Sequence, residues 1–333
     1  MMMDEDGFGF VDEVKPPPKA TTAKGKQPTK EQSEIPPLKP VVLEDFMATK
    51  FPPRELILSP WLPEKGLAML YANRGVGKTW VGLNIAWAIA TGGSFLKWQA
   101  TKPRKVLIVD GEMPANVLQE RLAGVIAAHG KTPPSRDTVR IIANDLEEFG
   151  IPDLATPDGQ AILDKALGDA DVIILDNLST LLRSGRENES ESWAVFQGWL
   201  LAKRRQGRAI LMIHHAGKGG QQRGTSKRED VLDTVVNLKR PSDYEATEGA
   251  RFEVHYEKSR GFSGDGAESF EAALVDGAWI VKSLSDEKEV QVLRLKAEGL
   301  TQREIAQEVG LSLSKVNRII KKAEEGPGYG LKS

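Results

Sequence analysis

The segment Ala72-Asn73-Arg74-Gly75-Val76-Gly77-Lys78-Thr79 constrains the fold of this chain more than any other feature. It lies between the apolar run Leu67–Tyr71 and a long apolar pattern of helical period that begins at Lys78. The order is strand, glycine-bearing loop, helix N-terminus. Backbone N–H groups of such a loop, added to the helix dipole, form a nest for phosphate oxygens. Lys78 can then reach the β- and γ-phosphates of a nucleoside triphosphate, and the Thr79 hydroxyl can ligate Mg2+. Asn73, Arg74, Gly75, Val76, Gly77, Lys78, Thr79 and Trp80 are therefore the expected lining of a site for ATP with Mg2+. The spacing departs from the strict P-loop only at Ala72, in place of the first glycine. That residue ends the strand, where a methyl group is tolerated. A glycine turn followed by a surface lysine is the competing reading, and the flanking strand and helix patterns weigh against it.

From about Leu43 to Lys282 strand patterns alternate with helical ones, the mark of a mainly parallel sheet covered on both faces. Strands are expected at Leu67–Tyr71, Val106–Asp110, Val139–Ile142, Val172–Leu175 and Ala209–Ile213. Helices are expected at Lys78–Thr91, Ala115–His129, Gly159–Leu167 and Ser192–Arg205. After Val231 the helical signal fades. Thr234–Leu238, Arg251–Lys258, Phe270–Leu274 and Trp279–Val281 read as an antiparallel extension of the sheet. A chain of 333 residues has room for one large domain and a small one. The expected division is a disordered leader over 1–42, an α/β domain over 43–284, a small all-α domain over 286–325 and a tail over 326–333. The leader reading rests on its prolines, Pro16-Pro17-Pro18, Pro28, Pro36-Pro37 and Pro40, set among Lys and Thr.

Composition excludes several classes. The formal net charge is −2, so any nucleic-acid surface has to be local. With no cysteine there are no disulfides and no thiolate metal sites, which suits a reducing compartment. The start is acidic (Asp4, Glu5, Asp6) and lacks an apolar core segment, unlike a signal peptide. No apolar run approaches the ~20 residues that span a bilayer. A soluble cytoplasmic protein with no membrane partner is expected.

Other strand ends add chemistry to the loop. Val172-Ile173-Ile174-Leu175 runs into Asp176-Asn177, a Walker B pattern whose Asp176 can hold the hydration shell of Mg2+. Many P-loop enzymes carry a catalytic glutamate directly after that aspartate. Here the position is Asn177, so the group that activates water must come from elsewhere. Val106–Asp110 leads into Gly111-Glu112, which puts a carboxylate at the carboxyl edge of the sheet, where ligands bind in open α/β folds. Glu112 is the expected general base or water-positioning group. The bland alternative is a carboxylate that offsets a helix dipole. Ala209–Ile213 ends in His214-His215, of which His215 is the candidate γ-phosphate sensor.

The P-loop, a strand ending Asp-Gly-Glu, Walker B with Asp-Asn, a His pair and then Arg223-Gly224-Thr225-Ser226 together resemble the RecA fold. Within it they resemble most closely the RepA-type hexameric helicase ATPases of plasmids and phages. The resemblance covers about Leu43 to Lys282. It implies a RecA-like P-loop ATPase core that self-associates as a hexameric ring, with each site at a subunit interface. It also implies a basic residue lent by the neighbour, as an arginine finger. Lys258-Ser259-Arg260 matches the Lys-x-Arg element of that role, with Arg223 as a rival to Arg260 and a plain surface charge as the alternative for either. In the family, loops equivalent to Leu181–Asn188 and Gly217–Arg228 line a central channel and meet single-stranded DNA. Lys218, Lys227 and Arg228 are the expected phosphate contacts in the second loop. A flexible solvated loop is the alternative.

From Asp286 the period is helical again. Glu287–Ala297 reads as one helix, Thr301-Gln302-Arg303-Glu304 as a capping box opening a second, and a third begins near Ser312. Leu313, Val316 and Ile320 are its expected inward face. Small Ala306, a left-handed turn at Gly310 and Val316 fit a helix-turn-helix. The module resembles those of resolvases and sigma-factor-like regulators. Its third helix would offer Ser314, Lys315, Asn317, Arg318, Lys321 and Lys322 to the major groove of duplex DNA. The combined expectation is an ATP-hydrolysing, DNA-associated motor of the RepA-like replicative type. The alternatives are an ATP-switched DNA-binding regulator and a loader or partition-type scaffold.

Overall fold

Parallel strands in which every residue is apolar must be covered on both faces, and three of the expected parallel strands have that pattern. The computed structural model describes residues 38–184, 189–217 and 230–324. They belong to two units, one ending at Pro52 and one beginning at Pro53. In the first, the short helix α1 (Leu43–Ala48) has no buried residue, and Phe46 rests on Phe51 with ring centroids 5.4 Å apart.

The second unit opens with β1 (Leu56–Ser59), β2 (Leu62–Pro63), β3 (Leu67–Ala72) and α2 (Lys78–Thr91). It continues through β4 (Ser94–Phe95), β5 (Trp98–Ala100), β6 (Val106–Asp110), α3 (Ala115–His129) and β7 (Val139–Ala143). Then come α4 (Pro157–Ala166), β8 (Val172–Asp176), α5 (Leu178–Leu181), α6 (Glu189–Arg205) and β9 (Ala209–His215). The main sheet closes with β10 (Thr234–Lys239), β11 (Arg251–Ser259), β12 (Phe270–Val275) and β13 (Ala278–Ser283).

Nine strands form this sheet in the order β13-β12-β11-β10-β3-β9-β8-β6-β7. β3, β6 and β8 are buried at every residue, as a central parallel strand requires. One face packs on α2 and α3 through Val81, Ile85, Ile89, Leu118 and Val125. The other packs on α4, α5 and α6 through Leu163, Leu178, Leu181, Phe196 and Leu200. α2 is apolar nearly all round, which suits a helix buried between a sheet and other elements.

Two parts of the sheet differ from the sequence reading. β10 is not antiparallel: it pairs parallel with β3, from Thr234↔Ala68 to Leu238↔Ala72, and the antiparallel extension begins only at β11. The stretch between His215 and Thr234 can hold the crossover of about a dozen residues that a parallel pair needs. It lacks the apolar helical period that usually announces one. The second difference is a separate four-stranded antiparallel sheet, β2-β1-β5-β4, which had no expectation. It carries Trp61 and Trp98, whose rings meet edge-on at 5.3 Å, and Trp98 Nε1 donates to Tyr256 Oη at 2.7 Å.

β13 runs without a linker into α7 (Leu284–Ala297), followed by α8 (Gln302–Val309) and α9 (Leu313–Glu324). These three helices enclose their own core of Val292, Leu295, Ile305, Val309, Val316, Ile319 and Ile320. The capping box forms, with Glu304 N–H donating to Thr301 Oγ1 and Thr301 N–H to Glu304 Oε2. Gly310 takes the left-handed turn at φ 63°. One inward residue was misjudged: Leu313 is 43% exposed, and Ile319 joins Val316 and Ile320 instead. The core stripe of α9 follows the i, i+3, i+4 spacing centred on its second turn, and the first turn stays outside it. Among the described residues no helix is long and apolar enough to cross a membrane. The fold class expected from the sequence is the one found: an α/β core on a mainly parallel sheet with a small helix-turn-helix region after it.

Candidate active site

Parallel strands end together, so residues far apart in sequence meet at one carboxyl edge. β3 delivers the P-loop there. Gly75 has φ 78° and Gly77 φ 107°, left-handed conformations that a side chain would disfavour. No side chain caps the first turn of α2, which leaves its N–H groups to an anion. Lys78 is buried, and its Nζ donates to the Asn73 carbonyl at 3.0 Å. Burial lowers the affinity of its amine for a proton, while Asp176 and Glu112 pull the other way. Val76 is buried, and Asn73, Arg74 and Gly75 are exposed on the loop. Trp80, 39% exposed, stands against α3, with the Arg121 guanidinium 5.8 Å from its ring centre.

β8 brings Asp176, which accepts a hydrogen bond from the Thr79 hydroxyl. Burial pushes its carboxyl up to about 7, and neighbouring Asp110 pushes the same way. Asp110 is itself raised by burial, although its Oδ1 accepts the N–H groups of Glu112 at 2.9 Å and Met113 at 2.7 Å. Those two bonds fix the turn that aims Glu112 at the site. Three carboxylates around one lysine make a place where added positive charge is favourable. The Thr79 hydroxyl and the Asp176 carboxylate are hard oxygen donors already in contact, so the residues present fit Mg2+ held jointly with phosphates.

Asn177 Nδ2 donates to Glu112 Oε2 and lies 3.2 Å from His215 Nε2. The ring nitrogen that faces the amide also lies 3.6 Å from Glu112 Oε2. The position that lacks the usual glutamate thus holds an amide that orients the glutamate of the next strand. His214, the residue before His215 on β9, alternates to the other face of the sheet and is buried.

Arg240 was missed in the sequence. Because β10 is parallel to β3, its carboxyl end lies beside the P-loop, and Arg240 Nη2 donates to the Gly75 carbonyl at 2.8 Å. The Tyr244 ring lies 3.8 Å beneath that guanidinium. A second missed group is Tyr71 with Asn237 and Glu257. Asn237 Nδ2 donates to Tyr71 Oη at 2.9 Å and to Glu257 Oε1 at 2.6 Å, and Tyr71 Oη donates to Glu257 Oε2. The signal for both was the polar residues in and after β10, and it depended on reading that strand's direction correctly.

Lys258 and Arg260 are not brought to this edge. Ser259 pairs with Thr234 and Arg260 N–H donates to the Asp233 carbonyl at 2.8 Å, at the start of β10. The six residues of β10 separate them from the carboxyl edge by about 17 Å, beyond the reach of a side chain. Arg223, Lys218, Lys227 and Arg228 lie outside the described residues. On α9, Ser314, Lys315, Asn317, Arg318 and Lys321 are exposed, and Asn317 Oδ1 accepts from Gln302 Nε2 at 3.3 Å. The side chain of Lys322 lies outside the described residues.

A phosphate-binding loop, a buried aspartate on the hydroxyl of the loop's threonine and an oriented glutamate define a P-loop ATPase domain. Residues 29–221 match the family model described as AAA domain, more than half of the chain, and the chain belongs to that family. Residues 293–326 match a second model, the winged helix-turn-helix DNA-binding family. No curated protein matches the chain. Among solved structures, a KaiC-like protein from the hyperthermophilic archaeon Pyrococcus horikoshii OT3 is similar at 14% identity and a TM-score of 0.47. The similarity covers 68% of this chain and 93% of that one.

Proposed function

We propose that this protein is a Mg2+-dependent ATPase that works as a ring on DNA, a replicative helicase of the RepA-like plasmid or phage type. The observation that carries the proposal is the division of the charged groups between two sheet edges. Lys78, Thr79, Asp176, Glu112 and His215 share the carboxyl edge, and the Lys258–Arg260 element stands at the other. A cation there is out of reach of its own copy's site, and a head-to-tail ring would set it against a neighbour's.

In this reading the P-loop N–H groups and Lys78 hold the β- and γ-phosphates, and Arg240 stacked on Tyr244 flanks the base. Bound Mg2+, held by Thr79 and Asp176, would neutralise charge on the phosphates. Glu112, fixed by Asn177, orients a water and accepts its proton as the water oxygen bonds to the γ-phosphorus. The bond from that phosphorus to the β–γ bridging oxygen breaks, and ADP leaves with the electron pair. His215 senses the γ-phosphate through Asn177. Arg260 of the neighbour, with Lys258 beside it, offsets charge on the leaving oxygens; Arg223 is the rival. Single-stranded DNA would run past Lys218, Lys227 and Arg228. Duplex DNA would meet Ser314, Lys315, Asn317, Arg318, Lys321 and Lys322.

The test is ATP turnover without DNA, with single strands and with duplex, together with native mass and unwinding of a forked duplex. Stimulation by single strands with strand separation is the expected result. Protection of one duplex site with no stimulation and no unwinding would instead make the protein an ATP-switched regulator.

A further inference from the structure

Two large apolar side chains stand outward on a tightly held loop at the nucleotide edge of the sheet. The loop follows β7, and Leu146 is 70% and Phe149 92% exposed. Its backbone is pinned: Ile151 N–H donates to Asn144 Oδ1 at 3.0 Å and Gly150 N–H to the Glu147 carbonyl at 3.0 Å. The Asp145 carboxylate accepts the Ala115 N–H at 2.9 Å, which ties the loop to the first turn of α3, next to Glu112. Between the two apolar residues lie Glu147 and Glu148, both exposed. An apolar pair held out from a fixed acidic loop is a pattern that a partner surface would cover.

The opposite edge of the sheet carries the complementary charge. There the Asp233 carboxylate takes hydrogen bonds from two guanidiniums, Arg54 at 3.2 Å and Arg204 at 3.1 Å, so one positive charge is left over. Exposed Lys65 and Arg260 add two more on the same edge. We propose that the loop 144–150 is the acidic, apolar half of a contact between copies of this chain. Leu146 and Phe149 seat against the neighbour's edge beside Arg54 and Lys65, away from Arg260, which the proposed mechanism directs to the nucleotide. The proposal rests on the reading that Arg260 acts on another copy's nucleotide, because that reading brings these two edges together. It extends that reading from one catalytic cation to a surface that holds the copies in register. Acid on one side and base on the other also gives the contact a direction, head to tail, as a closed ring needs.

The experiment uses the full chain carrying Leu146→Ser with Phe149→Ser, and separately Glu147→Lys with Glu148→Lys. Native mass and turnover per copy are followed against protein concentration in Mg2+ and ATP. All four positions are exposed, so circular dichroism and the melting temperature should match the unaltered chain. Both variants should need about tenfold more protein or beyond to assemble. Unchanged assembly of the apolar double variant would overturn the proposal, as would an unaltered chain that stays a single copy with ATP. Arg260→Ala separates the two readings, since it should assemble normally and fail in turnover. Normal turnover by Arg260→Ala beside impaired assembly of the loop variants would retire the shared-cation reading and keep the surface.

Discussion

In the proposed mechanism Glu112 and Asn177 divide between two strands a task that a single residue after the Walker aspartate performs in many P-loop enzymes. The amide cannot take a proton from water, but its hydrogen bond fixes the carboxylate that can. Different substitutions should therefore separate binding from chemistry. Glu112→Gln keeps the shape and the contact with Asn177, so nucleotide should still bind while turnover falls about 10²-fold or more. Trp80 fluorescence, with Trp80→Phe as the control, can report binding, and phosphate release reports turnover. Lys78→Ala should lose binding itself, because the buried amine is the group proposed to meet the phosphates. If Glu112→Gln turned over at the unaltered rate, the base would have to be sought elsewhere on the carboxyl edge.

At the scale of elements, the helix-turn-helix has its own core and should respond to change apart from the ATPase sheet. Arg318 is exposed on α9 and makes no contact needed by that core. Arg318→Ala should weaken duplex binding and reduce the salt slope by about one counterion if it meets a phosphate, with basal ATP turnover unchanged. Fluorescence anisotropy over a salt series checks this, and equal loss of both activities would end the two-part division. Thr301→Ala removes the cap of α8 and should cost roughly 1 kcal/mol of that region's stability. The elements legible in sequence were those with long apolar periods: α2 and α3 begin and end where their patterns do. Strands β2 and β4, two residues each, carry too few side chains to show a period. The direction of β10 was illegible because direction is set by the crossover and not by the strand's own residues. That one error hid Arg240 and Tyr244, whose place beside the P-loop follows from the direction alone. Glu112 was legible because its strand's apolar run ends abruptly in Asp110-Gly111-Glu112. Its partner Asn177 was read only as a missing glutamate, since a side-chain hydrogen bond between strand ends leaves no mark in sequence.

For the whole molecule the decisive question is whether one nucleotide site needs two copies of the chain. Arg260 stands about 17 Å from its own P-loop along β10, so in the proposed ring its cation would serve the site of another copy. Two inactive variants should therefore repair each other. Lys78→Ala has no working phosphate site but keeps its cation, and Arg260→Ala keeps its site but lends nothing. In a mixture of equal parts, an Arg260→Ala site next to a Lys78→Ala cation is complete. Random assembly places about one interface in four in that order, so turnover should return to about a quarter of the unaltered level. Each variant alone should stay near zero, and the recovered activity should vanish on dilution as the copies separate. Because each interface is directional, the reverse neighbour pairs combine two defects and add nothing. A mixture no more active than its parts would mean that Arg260 serves no neighbour's phosphates. If Arg260→Ala alone were fully active, the site would be complete within one copy and a cation on its own carboxyl edge, with Arg74 or Arg240 the nearest candidates, would have to offset the charge.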